Sequence, residues 1–117
     1  MEPTSDRLGF LVELVTLSRP LEATLTALAS QHWDSDAEMV TLDRKHLTEV
    51  LQRYIRGEFD AATIEVWANA IELRDDIGLP EGDQLMQDLM FELANQEATA
   101  PLTKQRAEAI LASLSAA

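Results

Sequence analysis

The chain has 117 residues and no cysteine, which excludes disulfides and thiolate metal sites. A hydrophobic content of 46% excludes general disorder, and the length suits one domain with its own core. The formal net charge of −12 opposes binding to nucleic acid or to anionic membrane and favours a basic partner, although many proteins carry such a charge only for solubility.

The composition favours helix over sheet, because aromatic residues make up only 5% of the chain and alanine and leucine dominate. The sequence therefore predicts an all-α fold, a compact single-domain bundle of about five to six helices spanning residues 1–117. The first residues lack a basic segment followed by an apolar run, and no apolar stretch approaches bilayer-spanning length. We expect a cytoplasmic protein that needs no cofactor.

An N-terminal helical hairpin is predicted over residues 5–30. Apolar residues at helical spacing place its first helix at about Asp6–Ser18, and Pro20 fits the first turn of its second helix. The short link between the two helices requires a hairpin or a sharp corner.

Residues 31–40 are predicted to form an acidic loop. Its alternating acids resemble the start of a calcium-binding loop, but Met39 and Lys45 stand where that loop needs glycine and glutamate. His32 lies beside Trp33 with no second histidine at ligand spacing. We therefore predict no metal site.

Four further helices follow, each with an apolar face at helical spacing. We expect Thr41, Asp60 and Thr103 to cap three of them. The four helices cover about residues 42–56, 60–77, 83–95 and 103–115.

The helix over 42–56 carries the most basic surface of the chain. Two interpretations are open: an ordinary solvated face, or an internal counterweight to the acidic helices. The basic side chains are Arg44, Lys45, Arg53 and Arg56.

The helix over 60–77 has the strongest apolar periodicity, which predicts that Trp67 belongs to the core. Arg74 and Asp75 leave this helix on its apolar side. They form either a half-buried ion pair that fixes the next loop or a contact pair beside Trp67 that faces a partner.

Acidic residues concentrate in the second half of the chain. Residues 61–100 carry nine acids and one base, a net charge of −8. A surface of this sign steers basic partners towards it. The predicted partner-binding residues are Glu65, Glu72, Asp75, Asp76, Glu81, Asp83, Asp88 and Glu92, together with Trp67 and Arg74.

No catalytic motif is present. The sequence lacks a phosphate-binding loop, a nucleophile elbow and a zinc-protease motif, and its two histidines stand in no motif. We therefore predict a non-enzymatic protein-binding module without a catalytic, cofactor-binding or metal site.

The order of helices and loops through YIRGEF, WANAIELRDDIG and FELANQ resembles the small helical immunity proteins of bacterial toxin systems. The resemblance lies in the order of helices and loops and in the acidic charge, and it covers about residues 47–115. Those proteins protect cells against nuclease bacteriocins or contact-dependent toxins. The resemblance implies a cytoplasmic inhibitor that binds a basic toxin tightly.

Two alternatives remain at this point. One is a helical adaptor or structural subunit, including a homodimer, with an apolar contact at Trp33, Trp67 or the Met86–Phe91 region. The other is an acidic mimic of nucleic acid that binds a DNA-binding protein. Charge-led binding should weaken with salt, whereas an apolar homodimer should barely respond.

Overall fold

Helix is the dominant secondary structure of the chain. The computed structural model describes residues 3–18, 20–29, 40–74 and 77–116. The elements are α1 (Pro3–Thr16), α2 (Leu21–Ala29), β1 (Val40–Thr41), α3 (Arg44–Ile55), α4 (Ala61–Glu72), β2 (Ile77–Gly78), α5 (Gln84–Ala94) and α6 (Lys104–Ala116). The predicted all-α fold is confirmed, with a single parallel two-residue pairing added between the described strands.

The α4 and α5 helices lie antiparallel and make the most extensive helix–helix contact of the described chain. The side-chain amide of Gln96, just after α5, donates a hydrogen bond to the carbonyl oxygen of Ala61 at the start of α4, at 3.1 Å. Both helices bury an apolar face, because apolar side chains recur at helical spacing. The buried residues are Ile64, Trp67, Ala68 and Ile71 in α4, and Met86, Leu89, Met90, Leu93 and Ala94 in α5.

Trp67 joins α4 to α1. Its side chain is 0% exposed, and the indole Nε1–H donates to the carbonyl oxygen of Leu14 at 2.7 Å. That carbonyl lies near the end of α1 and also accepts from the Leu17 backbone N–H at 3.2 Å. The bond satisfies a polar atom that burial would otherwise penalise. Trp67 is therefore a core residue, as its helical spacing predicts.

The α1 helix ends on a left-handed residue that is not glycine. Leu17 has a φ of 48°, and the following Ser18 donates its backbone N–H to the Glu13 carbonyl oxygen at 3.3 Å. A side chain in this region costs about 1–2 kcal/mol, which is why glycine is common at such helix ends. Leu17 is only 2% exposed, so the burial of its side chain offsets that cost.

The central helix is shorter than predicted. It ends at Glu72 rather than near residue 77, and Ile77 and Gly78 form the short strand β2 instead of a last helical turn. In β2, Ile77 pairs with Val40 of β1, and the Leu42 backbone N–H donates to the Gly78 carbonyl oxygen at 2.8 Å. Ile77 is therefore buried by a strand partner more than thirty residues away, which helical spacing alone cannot reveal.

The start of α3 also differs from the prediction, because Asp43 and not Thr41 is its cap. The Asp43 carboxylate accepts from the His46 backbone N–H at 3.0 Å, and His46 Nδ1 accepts from the Asp43 N–H at 3.1 Å. This reciprocal pair is a capping box in which histidine takes the usual place of glutamate. Asp60 and Thr103 cap their helices as predicted.

The N-terminal hairpin differs in detail. The α1 helix begins at Pro3 and not at Asp6, since proline is tolerated in the first turn, and α2 begins directly after Pro20. Residues 31–39 of the predicted acidic loop lie outside the described residues, and Val40 belongs to β1.

Replacing Trp67 with alanine should lower the free energy of unfolding by about 3–5 kcal/mol, because the change opens a cavity in the core and removes the bond to Leu14. Urea denaturation at pH 7 measures the effect. Phe91→Ala is the control, since that ring is 54% exposed and should cost much less. Equal losses for the two variants would contradict the burial of Trp67.

Candidate functional site

The ten predicted partner-binding residues divide into three groups. Some are engaged inside the fold, some are exposed acids, and two, Asp75 and Asp76, lie outside the described residues. The groups have different uses, because an acid that is neutralised within the fold contributes little to the field that a partner meets. The geometry of each predicted residue therefore decides whether it is available for binding.

Asp83 is engaged by Arg44. Nε and Nη2 of Arg44 donate to the two carboxylate oxygens of Asp83 at 2.8 and 2.9 Å, and Nη1 donates to the Leu114 carbonyl oxygen at 3.3 Å. The Asp83 carboxylate also caps α5 by accepting from the Met86 N–H at 3.2 Å. The hydrogen bonds from Arg44 are the main reason why the pKa of Asp83 lies below its usual value. Arg44 of α3 thus connects α3 both to the cap of α5 and to the end of α6.

Glu92 is engaged by Arg106. The guanidinium of Arg106 donates to both carboxylate oxygens, from Nε at 2.7 Å and from Nη2 at 2.6 Å. The Glu92 side chain is 18% exposed. Glu92, which the sequence grouped with the partner-binding acids, is therefore neutralised within the fold by a cation from α6.

Glu65 holds the turn that follows α5. Its carboxylate accepts from the Gln96 backbone N–H at 2.9 Å, and the Gln96 side-chain oxygen accepts from the Leu102 N–H at 3.2 Å. Glu65 is half-buried in this position. It stabilises the connection between α5 and α6 rather than standing free at the surface.

The sequence suggested that Arg74 and Asp75 form a contact pair beside Trp67, and Asp75 lies outside the described residues. Trp67 is fully buried, so no partner can touch it in this fold. Arg74 is half-buried and lies beyond the end of α4, where its backbone N–H donates to the Ile71 carbonyl oxygen at 3.1 Å. The helix on which the two were expected to share a face has already ended.

Three predicted acids remain exposed: Glu72 at the end of α4, Glu81 in the turn before α5, and Asp88 on α5. We call these three residues the acidic α4–α5 surface. No ion pair involves any of them within the described residues, and the Asp88 carboxylate accepts only a neutral bond from the Gln84 amide at 2.9 Å. Their negative charge therefore remains available to a partner.

Glu72 borders an apolar cavity of about 220 Å³. The other lining residues are Ile71, Ile77, Leu79 and Met90, of which all but Leu79 are buried. Partial burial raises the pKa of the Glu72 carboxyl above its usual value, because the loss of water disfavours the charged form. Among the described residues of the lining, Glu72 carries the one ionisable side chain.

An apolar groove of about 380 Å³ separates α2 from α4. It continues an exposed apolar side of α4, on which Val66 is 49% and Leu73 is 78% exposed. These two residues are seven apart and therefore lie on one side of the helix. The groove is lined by Pro20, Leu21, Glu22, Leu25, Asp60, Ala62, Thr63 and Val66.

The basic face of α3 acts as an internal counterweight. Arg53 Nε donates to Glu58 at 2.9 Å, and its Nη1 donates to the Thr16 carbonyl oxygen at 3.0 Å. Arg56 also pairs with Glu58, at 3.1 Å. The sequence left this interpretation open because the acid that pairs with Arg44, Asp83, lies 39 residues away along the chain.

Within the described ranges, no group of three or more His, Cys, Asp or Glu side chains could hold a metal ion. Among the helices there, none is both long and apolar enough to cross a bilayer. Comparison with known proteins gives no match: no family model, no curated protein and no solved structure resembles the chain.

Asp83→Asn should destabilise the protein at pH 7, because asparagine can still cap α5 but cannot form the ion pair with Arg44. Since the folded-state pKa of Asp83 is lowered, the pair stabilises the fold above the unfolded Asp pKa of about 3.9. This stabilisation is lost as the pH falls through the folded-state pKa, so the gap between variant and wild type should close below about pH 4.

Urea denaturation between pH 2 and pH 7 measures the gap. Asp88→Asn makes the same chemical change on the exposed side of α5 and should stay close to wild type at every pH. A variant at Asp83 with wild-type stability at pH 7 would show that the pair contributes nothing.

Proposed function

We propose that this chain is a non-enzymatic protein-binding module of the cytoplasm, an immunity-type inhibitor whose acidic α4–α5 surface neutralises a basic toxin. The observation that supports the proposal is that some of the predicted acids form ion pairs within the fold and others do not. Asp83 and Glu92 have cations from α3 and α6, whereas Glu72, Glu81 and Asp88 have none among the described residues. Unbalanced charge on adjoining elements favours a partner of opposite sign.

The physical benefit of such a surface is fast and selective association. Complementary charge raises the rate of encounter and discriminates against acidic competitors. A nuclease toxin suits this surface, because a protein that binds nucleic acid must present a basic cleft. An acidic inhibitor placed over that cleft would repel the substrate as well as cover the site.

The way in which the acids are used supports the proposed binding role. Asp43, Asp60 and Asp83 cap helices, and Glu65 holds a turn. His46 completes the cap of α3 through Nδ1. These side chains have structural tasks, and the exposed acids are placed to attract a partner.

Immobilised protein should capture a basic protein from a lysate of its native cell at low salt, and a salt gradient should release it. Mass spectrometry identifies the captured protein, and its toxicity is then tested with and without this chain. The reason is screening, because exposed charges interact over only about 10 Å at 0.1 M salt. Recovery of no basic protein at low salt would contradict the proposal.

With the captured protein in hand, the double variant Glu81→Lys and Asp88→Lys should reduce the association rate about tenfold, within the range seen among mutants of one interface. Glu49→Lys with Glu108→Lys is the matched control, because it makes the same change in net charge at exposed positions of α3 and α6. Stopped-flow measurements at low salt compare the two. Equal slowing would mean that only the net charge matters and that the α4–α5 surface is not the contact.

A second candidate function, a helical adaptor or subunit that forms a homodimer, is favoured by the exposed apolar side of α4. Among the contacts expected from the sequence, Trp67, Met86 and Met90 are buried, so Phe91 is the exposed described residue of that set. Trp33 lies outside the described residues. Val66 and Leu73, together with the groove beside α2, offer a larger apolar surface.

Sedimentation at low and high salt tests this second candidate. If the apolar side of α4 forms a dimer, Leu73→Glu should dissociate it, because the change places a charge in an apolar contact. Val12→Glu is the control, since Val12 is 44% exposed on α1. A monomer for the wild type at every salt concentration would rule out the dimer.

A further inference from the structure

The cavity beside Glu72 is unusual among the described surfaces because it combines an apolar floor with one unpaired charge. Ile71 is 2%, Ile77 is 6% and Met90 is 0% exposed, so the floor is made by the core of the fold. Leu79 is half-buried at the side, and Glu72 is the most exposed of the five lining residues. The carboxylate therefore lies on the solvent side of an apolar depression.

The Glu72 carboxylate lacks the compensation that the other partly buried acids receive. Asp83 and Glu92 each accept two hydrogen bonds from an arginine, and Glu65 accepts a backbone N–H. No such partner of Glu72 is found among the described residues, and the removal of water raises the pKa of this carboxyl. A cation placed beside it would supply the missing interaction.

We propose that this cavity is an anchor site for one long basic side chain, a lysine or an arginine, of a protein partner. The aliphatic stem enters the cavity along Leu79, above the buried Ile71 and Ile77, and the cation reaches the Glu72 carboxylate at the solvent side. This assignment rests on the proposed binding of a basic protein, and it names the group by which that partner is held.

The size and chemistry of the cavity both suit such a side chain. An apolar cavity of about 150 Å³ can hold a benzene molecule, so 220 Å³ is sufficient for a stem of three or four methylenes. Lysine and arginine bury their stems on apolar surface and keep the charged end near water. A neutral apolar side chain would cover the floor but would remove more water from Glu72 without offering a counter-charge.

The test uses a probe and needs no identified partner. Blocked lysine, Nα-acetyl-lysine N-methylamide, is titrated into the full chain while the methyl signals of Ile71, Ile77, Leu79 and Met90 are followed by NMR. We expect saturable shifts at these four methyl-bearing residues, with a dissociation constant in the millimolar range. We also expect the pKa of Glu72, read from its carboxyl carbon, to fall when the probe is bound, because a cation favours the charged form.

Three further compounds separate the parts of the probe. Nα-acetyl-norleucine N-methylamide keeps the stem without the charge, and ammonium chloride keeps the charge without the stem. Both should bind more weakly than blocked lysine. Butylammonium distinguishes a free amine from a side chain attached to a backbone. Binding of butylammonium without binding of blocked lysine would overturn the assignment to a protein side chain.

Matched variants locate the charge. Glu72→Gln should weaken blocked lysine about fivefold, the upper end of the range for an exposed ion pair. Glu81→Gln and Asp88→Asn remove the same charge outside the cavity and should leave the affinity within about twofold, as screening of exposed charges predicts. Equal weakening by all three variants would overturn the site in favour of a general charge effect.

The outcomes separate this inference from the proposed function. Binding of the probe at the cavity, with no basic protein captured from the lysate, would support the anchor site and count against the toxin inhibitor. Capture of a basic protein whose affinity is unchanged in Glu72→Gln would support the inhibitor and overturn the anchor.

Discussion

The bonds between residues 40–44 and the segment that joins α4 to α5 hold the candidate site in place. At one end of the segment, β2 pairs with β1 and the Gly78 carbonyl oxygen accepts from the Leu42 N–H. At the other end, Asp83 is held by Arg44. The backbone groups of β2 and of the turn before α5 have no helix of their own, so they depend on such external bonds. The floor residue Ile77 and the exposed Glu81 both lie on this segment, so the shape of the candidate site depends on the beginning of α3.

Ion pairs such as the one between Arg44 and Asp83 change how charge is distributed over the surface of the protein. Residues 41–60 carry four acids and four bases, and they look neutral in the sequence. In the fold, Arg44 is used by Asp83, while Arg53 and Arg56 are used by Glu58. The cations thus neutralise selected acids at the joints between elements. Of the acids predicted to bind a partner, those left exposed without a cation among the described residues lie on α4, on α5 and on the turn between them: Glu72, Glu81 and Asp88.

Sequence patterns predicted what depends on neighbours along the chain. The caps at Asp60 and Thr103 and the burial of Trp67 follow from local spacing, and each was predicted. The end of α4 was not, because Ile77 fits a helical stripe equally well until its strand partner at Val40 is known. For the same reason the sequence grouped Asp83 with the free acids, since Arg44 lies 39 residues away. Hydrophobic periodicity cannot show which acids form ion pairs with residues far along the chain. These ion pairs decide which acids of the segment remain unneutralised at the surface.

Two contributions to binding meet at Glu72, the attraction between charges and the burial of apolar surface. They differ in how they respond to salt. Exposed charges such as Glu81 and Asp88 act at a distance, so they govern the rate of encounter and weaken as salt is added. An apolar floor acts only in contact, through the area removed from water, and it governs the rate of dissociation. Glu72 borders that floor and is partly withdrawn from solvent, so an ion pair formed there is less screened than one at the rim. Affinity from the cavity should therefore persist at salt concentrations that abolish steering.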